Sequence, residues 1–424
     1  MDKITSSFYI FTLLLAFTCC KKELPIYQVD DEGAVILQPS KWKYSLHASG
    51  SYHSNGYFLD AIIFSYNLAV PTTSGNGSKR MTMLNSLNGE EVWHWNDYFI
   101  GVDNNLDIHS FCKLSNLITW QKGGRSYCIN LSYGSTKWKF QREHSYNSRL
   151  NPYGNSHFFS FSTFTRPDGF DESLAYITDI TNGEISDFLS ANYSYEFVSP
   201  YTDNGWIGGI SFINETSNPD LLLVTYSEPL PEWKLRMMFG LYNTNTEEWV
   251  YERKQLVEPH WNAGVQNTPI IYNERVYAAA GNSIVCHDVM TGDQLWRRNF
   301  EQDFLFSGFI IEDGMLLANC EDTYTYRLDP LTGATIWRTK GAGTCSRMSY
   351  LNGVVYFVGG STGLLHALDA ETGRVLWRID ARRLGEPNGN FTTNAVYCIP
   401  GEGGARDRVV ALTGRYAYCF EAAR

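Results

Sequence analysis

Three runs, forty and forty-one residues apart, constrain this chain more than anything else in it. They are His287-Asp288-Val289-Met290-Thr291-Gly292-Asp293-Gln294-Leu295-Trp296, Leu328-Asp329-Pro330-Leu331-Thr332-Gly333-Ala334-Thr335-Ile336-Trp337 and Leu368-Asp369-Ala370-Glu371-Thr372-Gly373-Arg374-Val375-Leu376-Trp377. A period of that length means a repeat architecture. Within each run an apolar strand ends in Asp288, Asp329 or Asp369. Thr-Gly then leads into a second strand, which carries Trp four residues after the glycine. Asp can accept backbone N–H bonds a few residues on, and Gly292, Gly333 and Gly373 supply the positive φ that closes a hairpin. One Trp at a fixed place per hairpin predicts a ring packed between adjacent sheets.

Weaker copies come into register upstream. Asn85 to Gly89 leads to Trp93, and Asn130 to Gly134 leads to Trp138; Asp179 to Gly183 keeps the turn but has Asp187 where Trp is expected. Tyr242-Asn243-Thr244-Asn245 reads as a turn with Asn in place of Gly before Trp249. Two further strand-like runs precede each hairpin, and four strands per repeat make the blade of a β-propeller. After the seventh unit only three strands remain, Thr393 to Ile399, Val409 to Leu412 and Tyr416 to Phe420. The strand-like run around Trp42 has no hairpin of its own, so it is expected to complete the last blade and pair the edge left open there. The fold expected is all-β: an eight-bladed propeller of four-stranded antiparallel blades, closed by an N-terminal strand. Its markers are Trp42, Trp93, Trp138, Trp249, Trp296, Trp337 and Trp377, with Asp187 standing in once.

The spacing between markers is widest in the N-terminal half. Excess length maps to loops, often on a binding face. One insertion, around Ile213 to Arg236, contains Leu230 and Trp233, the candidate interaction loop. Another, around Arg166 to Glu172, gathers Asp168, Asp171 and Glu172, which read as a solvated acidic hairpin rather than a calcium loop.

Residues 1–20 read as an export signal: Lys3, a short apolar core from Phe8 to Phe17, then Cys19-Cys20. That core is too short to span a bilayer. A cysteine closing such a segment resembles a bacterial lipoprotein signal, with Cys20, or alternatively Cys19, as the lipidated residue. Residues 21–33 read as a polar tether and 34–424 as one propeller body. The expected location is the cell envelope, lipid-anchored, with the periplasmic face of the outer membrane preferred. The formal charge of −11 speaks against nucleic acid or an anionic lipid surface as a partner. Seven cysteines follow the signal, an odd number that cannot all pair within the chain. Cys128, Cys286 and Cys419 take the place that Ala367 holds in the clearest repeat, a small inward apolar position. No Cys-x-x-Cys or His-x-x-x-His pair offers a structural metal site.

The pattern from Ala367 to Trp377 resembles the repeat of the pyrroloquinoline quinone (PQQ)-like propeller family, most clearly between about Ile270 and Asp380. That family includes quinoprotein alcohol and glucose dehydrogenases and a non-catalytic lipoprotein scaffold of outer-membrane β-barrel assembly. The repeat identifies the fold and says nothing of the cofactor. The enzymes hold their quinone and a calcium ion with Asp, Glu and Asn ligands, and no such cluster can be matched here. The alcohol dehydrogenases add a disulfide between adjacent cysteines, and the only adjacent pair is Cys19-Cys20. Hydrolase and phosphate-binding motifs are also absent. The reading is therefore a non-catalytic envelope platform for other proteins, with no cofactor or metal expected. Two alternatives are glycan or other ligand binding, on the aromatics Tyr193, Tyr195, Trp206 and Trp233, and a PQQ-dependent dehydrogenase.

Overall fold

The computed structural model describes residues 39–46, 54–59, 62–67, 79–97, 99, 111–122, 125–141, 150–165, 171–186, 206–212, 220–230, 234–260, 269–302, 308–341, 343, 345–386, 390–401 and 403–424. These form eight four-stranded antiparallel sheets, the blades of an all-β propeller. Sheets 1 to 7 span residues 54–95, 111–141, 151–186, 206–260, 270–299, 309–340 and 349–379, each built from four consecutive strands. Sheet 8 takes three strands from residues 391–421 and its outer strand from Trp42–Ser45. Trp42 there lies opposite Cys419, and Ser45 opposite Tyr416. The same strand also reaches sheet 1: Trp42 Nε1 donates to the Ser86 carbonyl (3.1 Å), and the Tyr44 hydroxyl to Glu91 (2.7 Å).

The apolar core consists of the seams between sheets. One seam brings Cys286 and Trp296 of sheet 5 against Leu316, Tyr326 and Leu328 of sheet 6. The next joins Leu317 of sheet 6 to Val355, Phe357 and Leu368 of sheet 7. A blade has two apolar faces because both touch a neighbour, so its middle strands read as unbroken apolar runs, such as Val354–Val358, buried at every position.

The repeat turn explains its own sequence. In sheet 6 the Gly333 N–H donates to the Asp329 carbonyl (2.8 Å), while Asp329 Oδ1 accepts from Leu331 N–H (2.8 Å). Asp288 caps Thr291 and Asp369 caps Thr372 in the same manner, both at 2.8 Å. The glycine is required twice. Its φ is +71° in Gly292 and Gly333 and +73° in Gly373. A Cβ on Gly333 would also lie 2.7 Å from the Trp296 ring, and one on Gly373 2.6 Å from Trp337. Each indole thus lies on the next sheet's turn glycine, and its Nε1 donates to a carbonyl of that turn. Trp296 reaches Pro330 (3.0 Å), Trp337 Ala370 (3.1 Å), Trp93 Leu131 (2.8 Å) and Trp138 Ile180 (2.8 Å). Opposite the Trp within its own sheet stands Cys128, Cys286, Cys419, Ala367 or Met83, and in sheet 6 Arg327.

Sheet 4 departs from the expected alignment. Its turn begins at Asn243, whose Oδ1 accepts from Asn245 (3.0 Å) and Thr246 (3.1 Å), and the left-handed residue is Glu247, φ +55°. Glu247, not Asn245, therefore holds the glycine position, and four residues on stands Tyr251, not Trp249. The ladder agrees, because the outer strands of sheets 1, 2, 5, 6 and 7 have a one-residue bulge just before the junction ring, and that of sheet 4 has one before Tyr251. That extra residue is Leu295 before Trp296, Ile336 before Trp337 and Val250 before Tyr251. Tyr251 accordingly faces sheet 5, its hydroxyl donating to the Val289 carbonyl (2.8 Å). Trp249 turns the other way, into the seam with Phe159 and Ile177 of sheet 3. The seam after Gly183 thus receives an indole from the side of sheet 4. Asp187 itself lies outside the described residues.

Trp377 also differs. In sheet 8 the third strand, Tyr416–Glu421, and the outer strand, Trp42–Ser45, are not consecutive in the chain, so no repeat turn joins them and no turn glycine awaits the ring. The indole instead joins the core that sheets 7 and 8 share with Tyr356, Phe391 and Tyr418. The segment after sheet 8 crosses back onto sheet 7, where Ala423 N–H donates to the Tyr356 hydroxyl (3.0 Å) and Arg424 pairs with Asp369.

Candidate interaction surfaces

With Asp288, Asp329, Asp369, Gly292, Gly333, Gly373 and the tryptophans committed to turns and seams, any function must rest on what the repeat does not use. Two features stand out. The first is strand length. The hairpin joining the second and third strands has arms of five or six residues in sheets 2, 5, 6 and 7. In sheet 3 the arms are His157–Thr165 and Asp171–Asp179, nine residues each, and in sheet 4 Leu221–Leu230 and Lys234–Asn243, ten each.

The register fixes where the excess goes. His157 lies opposite Asp179, and Leu221 opposite Asn243, at the end that carries the repeat turns. The extra residues must therefore project from the other end, by about 13 Å for four residues at 3.3 Å each. Leu230 pairs with Lys234 in the last rung of the longer hairpin. Trp233 falls in the connection and lies outside the described residues, as do Asp168, Tyr193, Tyr195 and both candidate lipidation cysteines, Cys20 and Cys19. Asp171 and Glu172 begin the returning strand of sheet 3 and Trp206 begins sheet 4.

The second feature is apolar exposure. Every large, well-exposed apolar side chain among the described residues sits on an outer hairpin. Leu87, Tyr133, Met290 and Leu331 are on the turns, and Val92, Phe140, Val250, Leu295 and Ile336 on the outer strands. Tyr133 is 76% exposed and Leu331 61%, values no core role accounts for. A sequence signal existed: Leu87, Met290 and Leu331 all stand two residues after the capping Asx, a position that points away from the sheet.

Cys112, Cys128, Cys320, Cys345 and Cys419 are buried, and burial pushes the thiols of Cys112, Cys128, Cys320 and Cys419 up to about 12, where no thiolate nucleophile forms. His366 stacks on Phe357 (5.0 Å), and its Nε2 lies 3.2 Å from the Thr362 hydroxyl. Among the described residues no three His, Cys, Asp or Glu side chains converge as metal ligands. Also among the described residues, no helix is long and apolar enough to cross a membrane.

Comparison with known proteins follows the repeat. A family model described as outer membrane protein assembly factor BamB matches residues 247–339 and 321–415. No curated protein matches the chain. Among solved structures, a europium-containing methanol dehydrogenase aligns at a TM-score of 0.62 and 11% identity, over 91% of this chain and 93% of its own. The computationally designed Ika8 protein gives 0.58 and 12%, over 91% of this chain and all of its own. BamB from Moraxella catarrhalis gives 0.51 and 12%, over 92% of this chain and all of its own. At such identities the likeness is one of fold, shared by an enzyme, an assembly factor and a design. The repeat, the sheets it builds and the family match over residues 247–415 support a PQQ-like β-propeller repeat family.

Proposed function

We propose that this protein is a non-catalytic platform for protein–protein contact in the bacterial envelope, a single eight-bladed ring spanning residues 34–424. It would be carried on a lipid at Cys20, or Cys19, after removal of residues 1–20, with 21–33 as the tether. The observation that carries this reading is the pair of long hairpins that neighbouring sheets 3 and 4 raise from one end of an otherwise even ring. Regular blades need no such extension for packing, whereas a partner gains an elevated contact surface. Leu230, in the last described rung of the longer hairpin, and Trp233, three residues on in the sequence, are the residues expected to meet it. The family model's description, an outer membrane protein assembly factor, supports this compartment and this kind of process.

Photo-crosslinking in cells tests the reading. A crosslinker at position 233 should capture a discrete envelope protein, while one at exposed Glu371, on a turn at the opposite end, should not. Equal capture at both positions, or at neither, would overturn it. Metabolic lipid labelling that persists in a chain with both Cys19 and Cys20 replaced by Ser would overturn the anchor.

A further inference from the structure

The seam between sheets 4 and 5 is built unlike its neighbours. At the regular seams an indole lies on the turn glycine; here the Tyr251 phenol lies on Gly292, and ionisable groups share the joint. Tyr251 donates to Val289, Lys254 pairs with Asp293 (2.7 Å) and donates to the Thr291 carbonyl, and Arg297 pairs with Glu258 (3.1 Å). At the centre His287, 3% exposed, sits edge-on to Phe239 (5.1 Å). Its Nε2 is 2.9 Å from the Leu256 carbonyl of sheet 4, and its Nδ1 3.2 Å from the Gly292 carbonyl of its own turn.

We propose that this seam is an acid-sensitive hinge, in which uptake of a proton by His287 unseats the contact between sheet 4 and the regular half of the ring. A neutral imidazole donates from one nitrogen only, so it serves one of the two carbonyls. The imidazolium could serve both, yet it would be a buried cation. The charged groups around it are Lys254 of sheet 4, which opposes the charge, and Asp293 of its own turn, which favours it; Phe239 contributes none. Burial prevails over the two carbonyl bonds and holds the imidazole below its ordinary pKa. A base held down in the folded state contributes stability that is present above the ordinary histidine value, about 6.5, and lost as pH falls through the lowered folded value. Asp293, held below the usual carboxylate range by Lys254, adds a loss of the same sign in stronger acid.

Hydrogen exchange of the intact chain, corrected for intrinsic rates, tests this. Between about pH 7.5 and about pH 5, protection of segments 251–258 and 285–293 should fall by up to about tenfold per pH unit, the limit for one proton. Segments 327–340 and 365–375, across the seam of sheets 6 and 7, should hold. His287→Gln should abolish the difference between the two seams. Parallel loss at both, or an unchanged pH response in H287Q, would overturn the hinge. Should H287Q fail to fold, the wild-type His287 resonance decides: titration at or above the ordinary value overturns it, and titration below it supports it.

Discussion

At the seam between sheets 6 and 7, Trp337 leans forward onto Gly373; at the seam between sheets 3 and 4, Trp249 leans back toward Phe159 and Ile177. The two regions fill the same kind of gap from opposite sides. In the forward arrangement ring and glycine are coupled, because a Cβ on the turn would strike the indole. Where sheet 3 offers no Trp after Gly183, the turn of sheet 4 is released from that demand and carries Glu247. Gly240, in the strand beside Trp249, supplies the clearance instead, since a Cβ there would lie 2.6 Å from the ring. A missing residue in one repeat is thus answered by two substitutions in the next.

Removing the forward indole should give the largest effect: Trp337→Ala is expected to cost about 3 to 5 kcal/mol in denaturant unfolding, with no specific activity lost. Near-unchanged unfolding would dissolve the comparison. Trp249→Ala should cost somewhat less, about 2 to 4 kcal/mol, and its exchange signature should appear in sheet 3 rather than sheet 5. The turn residues should then respond with opposite signs. Gly333→Ala meets both a positive φ and the Trp296 ring, and should destabilise by about 2 kcal/mol. Glu247→Gly relieves a left-handed non-glycine residue, with no Trp at the matching place in the sequence after Gly183, and should stabilise by about 1 kcal/mol. Loss of stability in both variants would mean that sheet 4 obeys the ordinary rule. The smallest change is expected in acid. Burial alone would raise the Asp369 carboxyl, but bonds from the Thr372 N–H and hydroxyl and the Arg424 guanidinium hold it below its usual value. Its contribution is therefore present above about pH 3.9 and lost as pH falls through the lowered value. Asp369→Asn should flatten that part of the thermal-stability profile.

Much of the ring was legible because its turn is local. Asp, Gly and Trp lie within nine residues of one another, and the forces that fix the hairpin act over that span. The strand around Trp42 could be assigned to the last blade by counting strands alone. Trp249 misled because Asn245 is a good residue for positive φ and a Trp follows it at four residues. The sequence does not display that the count should start from Asn243, since that depends on a bulge at Val250 and on what sheet 3 lacks. The projecting hairpins were visible only as surplus length; their common direction comes from register, which pairs residues far apart in the chain. The polar seam around His287 stayed hidden for the same reason, with Leu256 and Gly292 thirty-six residues apart.

The outer strand Trp42–Ser45 has a mechanical consequence. Any pull applied from the N-terminal side of the ring enters through these four residues, and an outermost strand held by one neighbour would peel away bond by bond. This one is fastened on two bodies. Lys41 N–H donates to Cys419 (2.7 Å), its ammonium pairs with Glu421 (2.7 Å), and Lys43 lies 3.5 Å over the Tyr416 ring, all on sheet 8. Trp42 and Tyr44 grip sheet 1, and a Cβ on Gly89 would meet the Trp42 ring at 2.5 Å. Tension is therefore divided between the first and last sheets and drawn across the joint that closes the ring. Pulled from that side, a propeller of this build would yield by opening as a whole rather than by fraying from its outer strand.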